Sequence, residues 1–277
     1  MSDAVPLAWV TAFRGEASGL IDHYQLKRVT GAPLEFYESR DGVASLIVTG
    51  PGRVASAGGV GWLGGILGAS ARNTLWLNFG TAGGNDGSEG QCFRANRIGT
   101  RGGRVHYPQT SVKGEARLPG IAVETVDEPT RDYPKDALVE MEAVGFWETA
   151  LRWTTVEWIQ VIKVVSDTPG TPWSEATPKL GSRFCSEVVP QVAAFAAASQ
   201  VALAPIREDS EDPEGFSEVL ALARFTSTES HRLRQLLNRI SARSLTEVML
   251  ESCRHRKTEG PLKAPQLLKE IESILWE

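Results

Sequence analysis

The sequence predicts an α/β domain followed by a small helical extension. Three observations predict it. Short apolar runs alternate with stretches of helical spacing up to about residue 204. Glycine- and proline-bearing turns separate those runs. An acidic stretch with two prolines follows at 205–215, and beyond it the pattern is helical only. The expected organisation is one domain over 1–204, a linker over 205–215 and a helical region over 216–277.

Leu7–Ala12 reads as a buried strand, and Glu16–Tyr24 as an amphipathic helix. Pro33–Glu38 and Val43–Thr49 read as strands joined at Arg40, Asp41 and Gly42. Gly50, Pro51 and Gly52 end the second, and Val54–Ile66 continues as a glycine-rich helix. Thr74–Phe79 is an apolar strand that the run Gly80–Gly84 is expected to stop, and Ile121–Thr125 is a compact strand. Leu138–Trp153 has helical spacing through Met141, Val144, Trp147 and Leu151. Trp158–Val165 is an apolar strand ending at Ser166 and Asp167, and Glu187–Leu203 is an alanine-rich helix. In the extension, Thr226–Glu229 offers a helix cap, Ser244 and Glu247 have capping-box spacing, and Pro265–Leu275 supplies a further helix.

The 277 residues are 42% hydrophobic, enough for a substantial core. The net charge of −5 argues against a polyanionic nucleic-acid partner, except through the basic C-terminal helices. Cys92, Cys185 and Cys253 are odd in number and far apart, which suggests neither a disulfide framework nor a zinc site. No basic and apolar leader opens the chain, and no unbroken apolar run approaches the roughly 20 residues of a membrane span. A cytoplasmic protein without membrane contact is expected.

Ligands of open α/β sheets bind at the carboxyl ends of strands, and three marks fall there. They are Glu16, the run Asn78–Gly84, and the pair Val139–Ala143 with Ser166 and Asp167. Singly, each has an ordinary structural use. Glu16 suits the first turn of a helix, the glycines suit a tight connection, and Asp167 could cap the next segment. Glu140 and Glu142 lie two apart, so one can cap a helix while the other faces a cavity. The glycine run matches neither the dinucleotide nor the P-loop pattern.

Together, in this order, the marks resemble those of the nucleoside phosphorylase and nucleosidase superfamily, most closely the methylthioadenosine/S-adenosylhomocysteine nucleosidases. Their patterns N-x-G-[ST]-A-G-G, V-E-M-E-A and S-D stand here at Asn78–Gly84, Val139–Ala143 and Ser166–Asp167, and Thr49–Ala55 is similar to a further family segment. The resemblance covers about residues 7–203. It implies a three-layer, phosphorylase-like fold with a central mixed sheet. It also implies N-glycosidic cleavage of a purine nucleoside, with no cofactor or metal and a homodimeric state. Asp167, steadied by Ser166, would protonate N7 of the base. Glu142 would hold the ribose hydroxyls, with Met141 under the sugar. Glu16 would activate water, which Thr81 helps to place. Ala82, Gly83, Glu140 and Val126 would line the substrate site.

The phosphorylases of this superfamily carry phosphate-binding arginines. At the two matching places this chain has Phe13–Ala17 and Asn78, which favours water as nucleophile, with Arg14 and Arg53 as the substitutes to consider. The alternatives are a phosphorylase, or a weakly catalytic nucleoside sensor. Three departures stand out. Lys163 occupies the place of an arginine, a helix after Gly120 is missing, and Thr125–Pro129 replaces the loop that meets the base. Asp127, Glu128 and His106 are further candidates for that end of the site.

Overall fold

The computed structural model describes residues 4–85, 88–110, 112–171, 178–209, 212–256 and 263–275. The chain forms two compact units, Met1–Asp209 and Ser210–Glu277.

The first unit is built on one mixed sheet. Its strands are β1 (Leu7–Thr11), β2 (Lys27–Arg28), β3 (Glu35–Glu38), β4 (Ala44–Val48), β5 (Leu75–Gly83), β6 (Cys92–Gly99), β7 (Val105–His106), β8 (Gly120–Thr125), β9 (Ala137–Glu140) and β10 (Ile159–Asp167). Its helices are α1 (Arg14–His23), α2 (Arg53–Leu67), α3 (Ala143–Ala150), α4 (Pro178–Glu187) and α5 (Val189–Asp209). Parallel pairing joins β4, β1, β5 and β10. Long β5 also meets β9 at Gly83 and Val139, and β9, β8, β6 and β10 pair in turn, so the sheet curls back on itself beside β5.

Side chains alternate across each strand and bury on both faces. Leu7 and Trp9 join one core with Leu20 of α1, Cys185 of α4 and Phe195 of α5. Ala8 and Val10 join the other with Val60 and Leu63 of α2 and Phe146 and Trp147 of α3. The result is the expected three-layer α/β arrangement.

Several elements differ from expectation. Leu138–Glu140 is strand, not helix: β9 pairs with β8 from Ala137 to Glu140, and α3 begins only at Ala143. β5 does not stop at Phe79 but runs through Gly83. α5 continues through Pro205 to Asp209, into the stretch expected to be linker. Two helical stretches, Arg53–Asn73 and Val189–Ile206, are long and apolar enough to cross a membrane by length and composition, although neither is an unbroken apolar run. Val189–Ile206 contributes side chains to the first core and Arg53–Asn73 to the second.

The second unit contains α6 (Phe216–Leu220), α7 (Ser227–Ser241), α8 (Thr246–Arg256) and α9 (Ala264–Ser273) around its own core of Phe216, Leu233, Leu237, Met249, Leu267 and Ile271. Thr226 and Glu229 cap α7 reciprocally. Ser244 does not cap α8; it sits at φ 57° in the turn after α7, its N–H donating to the Ser241 carbonyl. Two of the basic side chains of these helices are paired, Arg232 with Glu272 and Arg234 with Asp212. Lys257 lies outside the described residues.

Candidate active site

Five segments meet at a cavity of about 330 Å³. They are the β1–α1 junction, the turn before α2, the end of β5, the β8–α3 region and the end of β10. Ten residues expected from the sequence line it: Glu16, Thr81, Ala82, Gly83, Val126, Glu140, Met141, Glu142, Ser166 and Asp167, whereas the further candidates Asp127, Glu128 and His106 do not. Phe13, Pro51, Pro129 and Thr130 complete the wall. His106 is elsewhere, 3.2 Å from Glu148. Asp127 points to Arg53 at 2.8 Å.

Glu16 is at the third position of α1 and folds back over the helix start. One oxygen accepts the N–H groups of Ala12 and Phe13 at 3.1 and 3.0 Å. The other accepts the Thr81 N–H and hydroxyl, each at 2.8 Å. A carboxylate offers about four lone-pair sites, and here all are used. Gly80 makes this possible, because a Cβ there would come within 2.9 Å of the carboxylate.

The two central glutamates divide their work. Glu140 caps α3: one oxygen accepts the N–H groups of Glu142 and Ala143 at 3.0 and 2.9 Å, and the other the Thr125 hydroxyl at 2.5 Å. Glu142 turns to the cavity, held by the Gly52 N–H at 2.8 Å. Gly52 has φ 98°, a backbone that favours glycine, so the Gly50–Gly52 turn is shaped to present that donor. Lys163, 2% exposed, reaches in from β10, with its Nζ 2.8 Å from Glu140 and 3.7 Å from Glu142. Burial works against the Lys163 charge, but Glu140 and Glu142 outweigh it, and its pKa lies above the ordinary lysine value. Burial also lifts the Glu142 carboxyl above the ordinary glutamate value, against the pull of Lys163.

The raised Glu142 value has a consequence for stability. Between the ordinary and the raised value the folded state binds the proton more tightly than the unfolded chain does, so stability falls as pH rises through that window. Glu142→Gln carries no such charge. Its stability relative to wild type should therefore grow across that window and level off above it. Urea denaturation at a series of pH values checks this, and a pH-independent difference would contradict it.

At the end of β10 the register slips between Val165 and Asp167, an irregularity of the kind that re-aims side chains. The Ser166 hydroxyl donates to Asp167 Oδ1 at 2.6 Å. The Tyr133 hydroxyl donates to Asp167 Oδ2 at 2.8 Å. Sequence reasoning missed Tyr133: it lies in an aperiodic stretch between β8 and β9 and carries no motif.

The arrangement places the carboxyl groups of Asp167 and Glu142 and the Glu16–Thr81 carboxylate–hydroxyl pair around one largely apolar space. No family model and no curated protein matches the chain. Solved structures do. The 5′-methylthioadenosine/S-adenosylhomocysteine nucleosidase of Campylobacter jejuni superposes with a TM-score of 0.54 at 14% identity, covering 70% of this chain and 99% of that one. A variant of the Chlamydia trachomatis nucleosidase bound to MTA gives 0.51 at 18% identity, covering 69% and 98%. A further MTA/SAH nucleosidase gives 0.51 at 14% identity, covering 75% and 97%. What such identities carry is the fold, and the fold of this chain is that of the 5′-methylthioadenosine/S-adenosylhomocysteine nucleosidases.

Proposed function

We propose that this protein hydrolyses the N-glycosidic bond of a purine nucleoside, releasing the free base and a ribose moiety. The observation that carries the reading is the meeting of Asp167, Glu142 and the Glu16–Thr81 pair in one cavity. Asp167, held by Ser166, gives a proton to N7 of the base, which lets the base leave neutral. The sugar then gains oxocarbenium character. Glu142 accepts bonds from the ribose hydroxyls, and these strengthen as the sugar becomes positive. The Thr81 hydroxyl donates its proton to Glu16, which leaves the Thr81 oxygen to accept a hydrogen bond from the attacking water. Thr81 thus meets the attacking water, and as the water oxygen bonds to the anomeric carbon, its proton passes to the Thr81 oxygen while the Thr81 proton passes to Glu16.

The choice of water over phosphate is supported by the two arginines that could have held the anion. Arg14 lies 3.3 Å from Glu35 and over the Tyr37 ring, and Arg53 pairs with Asp127. A methylthioadenosine-like nucleoside, the ligand in the Chlamydia structure, is the first substrate to try.

The test is a nucleoside panel with and without phosphate, followed by product analysis. Free base plus free ribose moiety, at a rate unchanged by phosphate, is expected. Ribose 1-phosphate as the main product would make the protein a phosphorylase. Release of no base from any member would reject the enzymatic reading. Thr81→Val retains the side-chain shape and the backbone bond to Glu16. It should lower kcat about tenfold with KM little changed, the scale of one hydrogen bond made in the transition state.

A further inference from the structure

Asp167 has a partner that the reaction scheme above does not use. Its Oδ2 accepts the Tyr133 hydroxyl at 2.8 Å, while Oδ1 accepts Ser166 at 2.6 Å. Tyr133 is brought there by a segment pinned on both sides of it. Arg53 holds Asp127 at 2.8 Å, Arg101 holds Asp132 at 2.9 Å, and Asn85 donates to the Lys135 carbonyl. The opposing strand is fitted to the contact. A Cβ on Gly83 would lie 2.6 Å from the Tyr133 ring and 2.9 Å from Asp167 Oδ2, so only glycine lets ring and carboxyl group meet. The same segment supplies Val126, Pro129 and Thr130 to the cavity wall.

We propose that Tyr133 is a positioning residue for the proton donor: its hydroxyl fixes Asp167 Oδ2 and takes up charge that forms there as the proton leaves for the base. This rests on the glycosidase reading. The step balances simply. The O–H bond of the Asp167 carboxyl group breaks, an N–H bond forms at N7 of the base, and the electron pair of the glycosidic bond goes to the base. The carboxylate left behind carries a full charge, and a hydrogen bond to it is stronger than one to the neutral acid. The phenol therefore stabilises the transition state more than the ground state. Removing the hydroxyl while the ring stays in place makes the proposal testable.

Tyr133→Phe retains the ring against Gly83 and removes only the hydroxyl. Two changes are expected. On a purine nucleoside kcat should fall about tenfold with KM little changed. On a 4-nitrophenyl riboside, whose leaving group needs no proton, the variant should match the wild type. A residue that merely packs would slow both substrates alike. Carboxyl-¹³C NMR of Asp167 at one fixed pH, assigned by its loss in Asp167→Asn, reads the same bond without any substrate, and its chemical shift should differ between the wild type and Tyr133→Phe. If the chemical shift is equal in the two proteins, the proposal is wrong, whether or not the wild type releases base. If it differs but the wild type releases no base, the bond positions Asp167 for no proton transfer and the role proposed here falls with the glycosidase reading. A changed chemical shift together with a loss confined to the purine nucleoside supports it.

Discussion

Asp167→Asn is expected to leave the protein folded and to lower kcat about 10³-fold, within the range for a lost general acid. The amide is nearly isosteric with the carboxyl group, and both of its neighbours are hydroxyl groups that can turn. Ser166 and Tyr133 each donate to Asp167, but each can accept instead when faced with an N–H. The substitution therefore strands no buried donor and should change the melting temperature little. Its chemical effect is different in kind. If the amide nitrogen faces the base, it can hydrogen-bond N7 but cannot transfer a proton. If the amide oxygen faces the base, it repels the N7 lone pair. Either way the base must leave as an anion. Steady-state kinetics, with circular dichroism as the folding check, measures this. Turnover near wild type, on a nucleoside the parent cleaves well, would remove Asp167 from the mechanism.

The strands that carry the site were legible because they are buried on both faces. β1 is an unbroken apolar run ending at Thr11, β10 is apolar but for Gln160 and Lys163 until it ends at Ser166 and Asp167, and all of Leu7–Thr11 and Ile159–Asp167 are buried. Their ends place Glu16 and Asp167. Confusion arose where two periodicities coincide. Leu138, Met141 and Val144 have helical spacing, yet Leu138 pairs with Val123 in the sheet. Pairing on that strand outweighs the local pattern. The glycines at the end of β5 posed a related problem. A run of glycines reads as a turn, but Gly80 and Gly83 are in a strand because Glu16, Tyr133 and Asp167 approach its backbone closely. The spacing of Glu140 and Glu142 left open which glutamate caps and which faces the cavity. The sheet decides it, since Glu140 ends β9 and points back at the start of α3. Tyr133 was not legible, because its place depends on a loop path that leaves no mark in residue type. Gly52 was marked as a turn glycine, but that its N–H reaches Glu142 was not legible.

Lys163→Met is expected to cost the first unit about 3–5 kcal/mol, the scale of removing one partner from a buried ion cluster. The ammonium group is the cation between two carboxylates that are themselves more than nine-tenths buried: Glu140 at 5% and Glu142 at 7% exposure. Methionine fills similar space, so the loss is electrostatic rather than a cavity. Against a typical total stability of about 5–15 kcal/mol, this is a large fraction, equivalent to a fall of roughly 10 °C or more in melting temperature for a unit of this size. The loss should also depend on pH. Without Lys163 the paired carboxylates repel each other, and protonating one of them relieves the strain. The deficit is therefore expected to be largest at alkaline pH and to shrink as pH falls into the carboxylate range. Lys163→Arg retains the charge and should recover most of the stability, its fork able to reach both carboxylates. Thermal and urea denaturation of the three proteins at acid and alkaline pH measure all of this. A methionine variant as stable as wild type at alkaline pH would mean that the two glutamates are held by their backbone and hydroxyl donors alone, and that the charge on Lys163 is dispensable to the site.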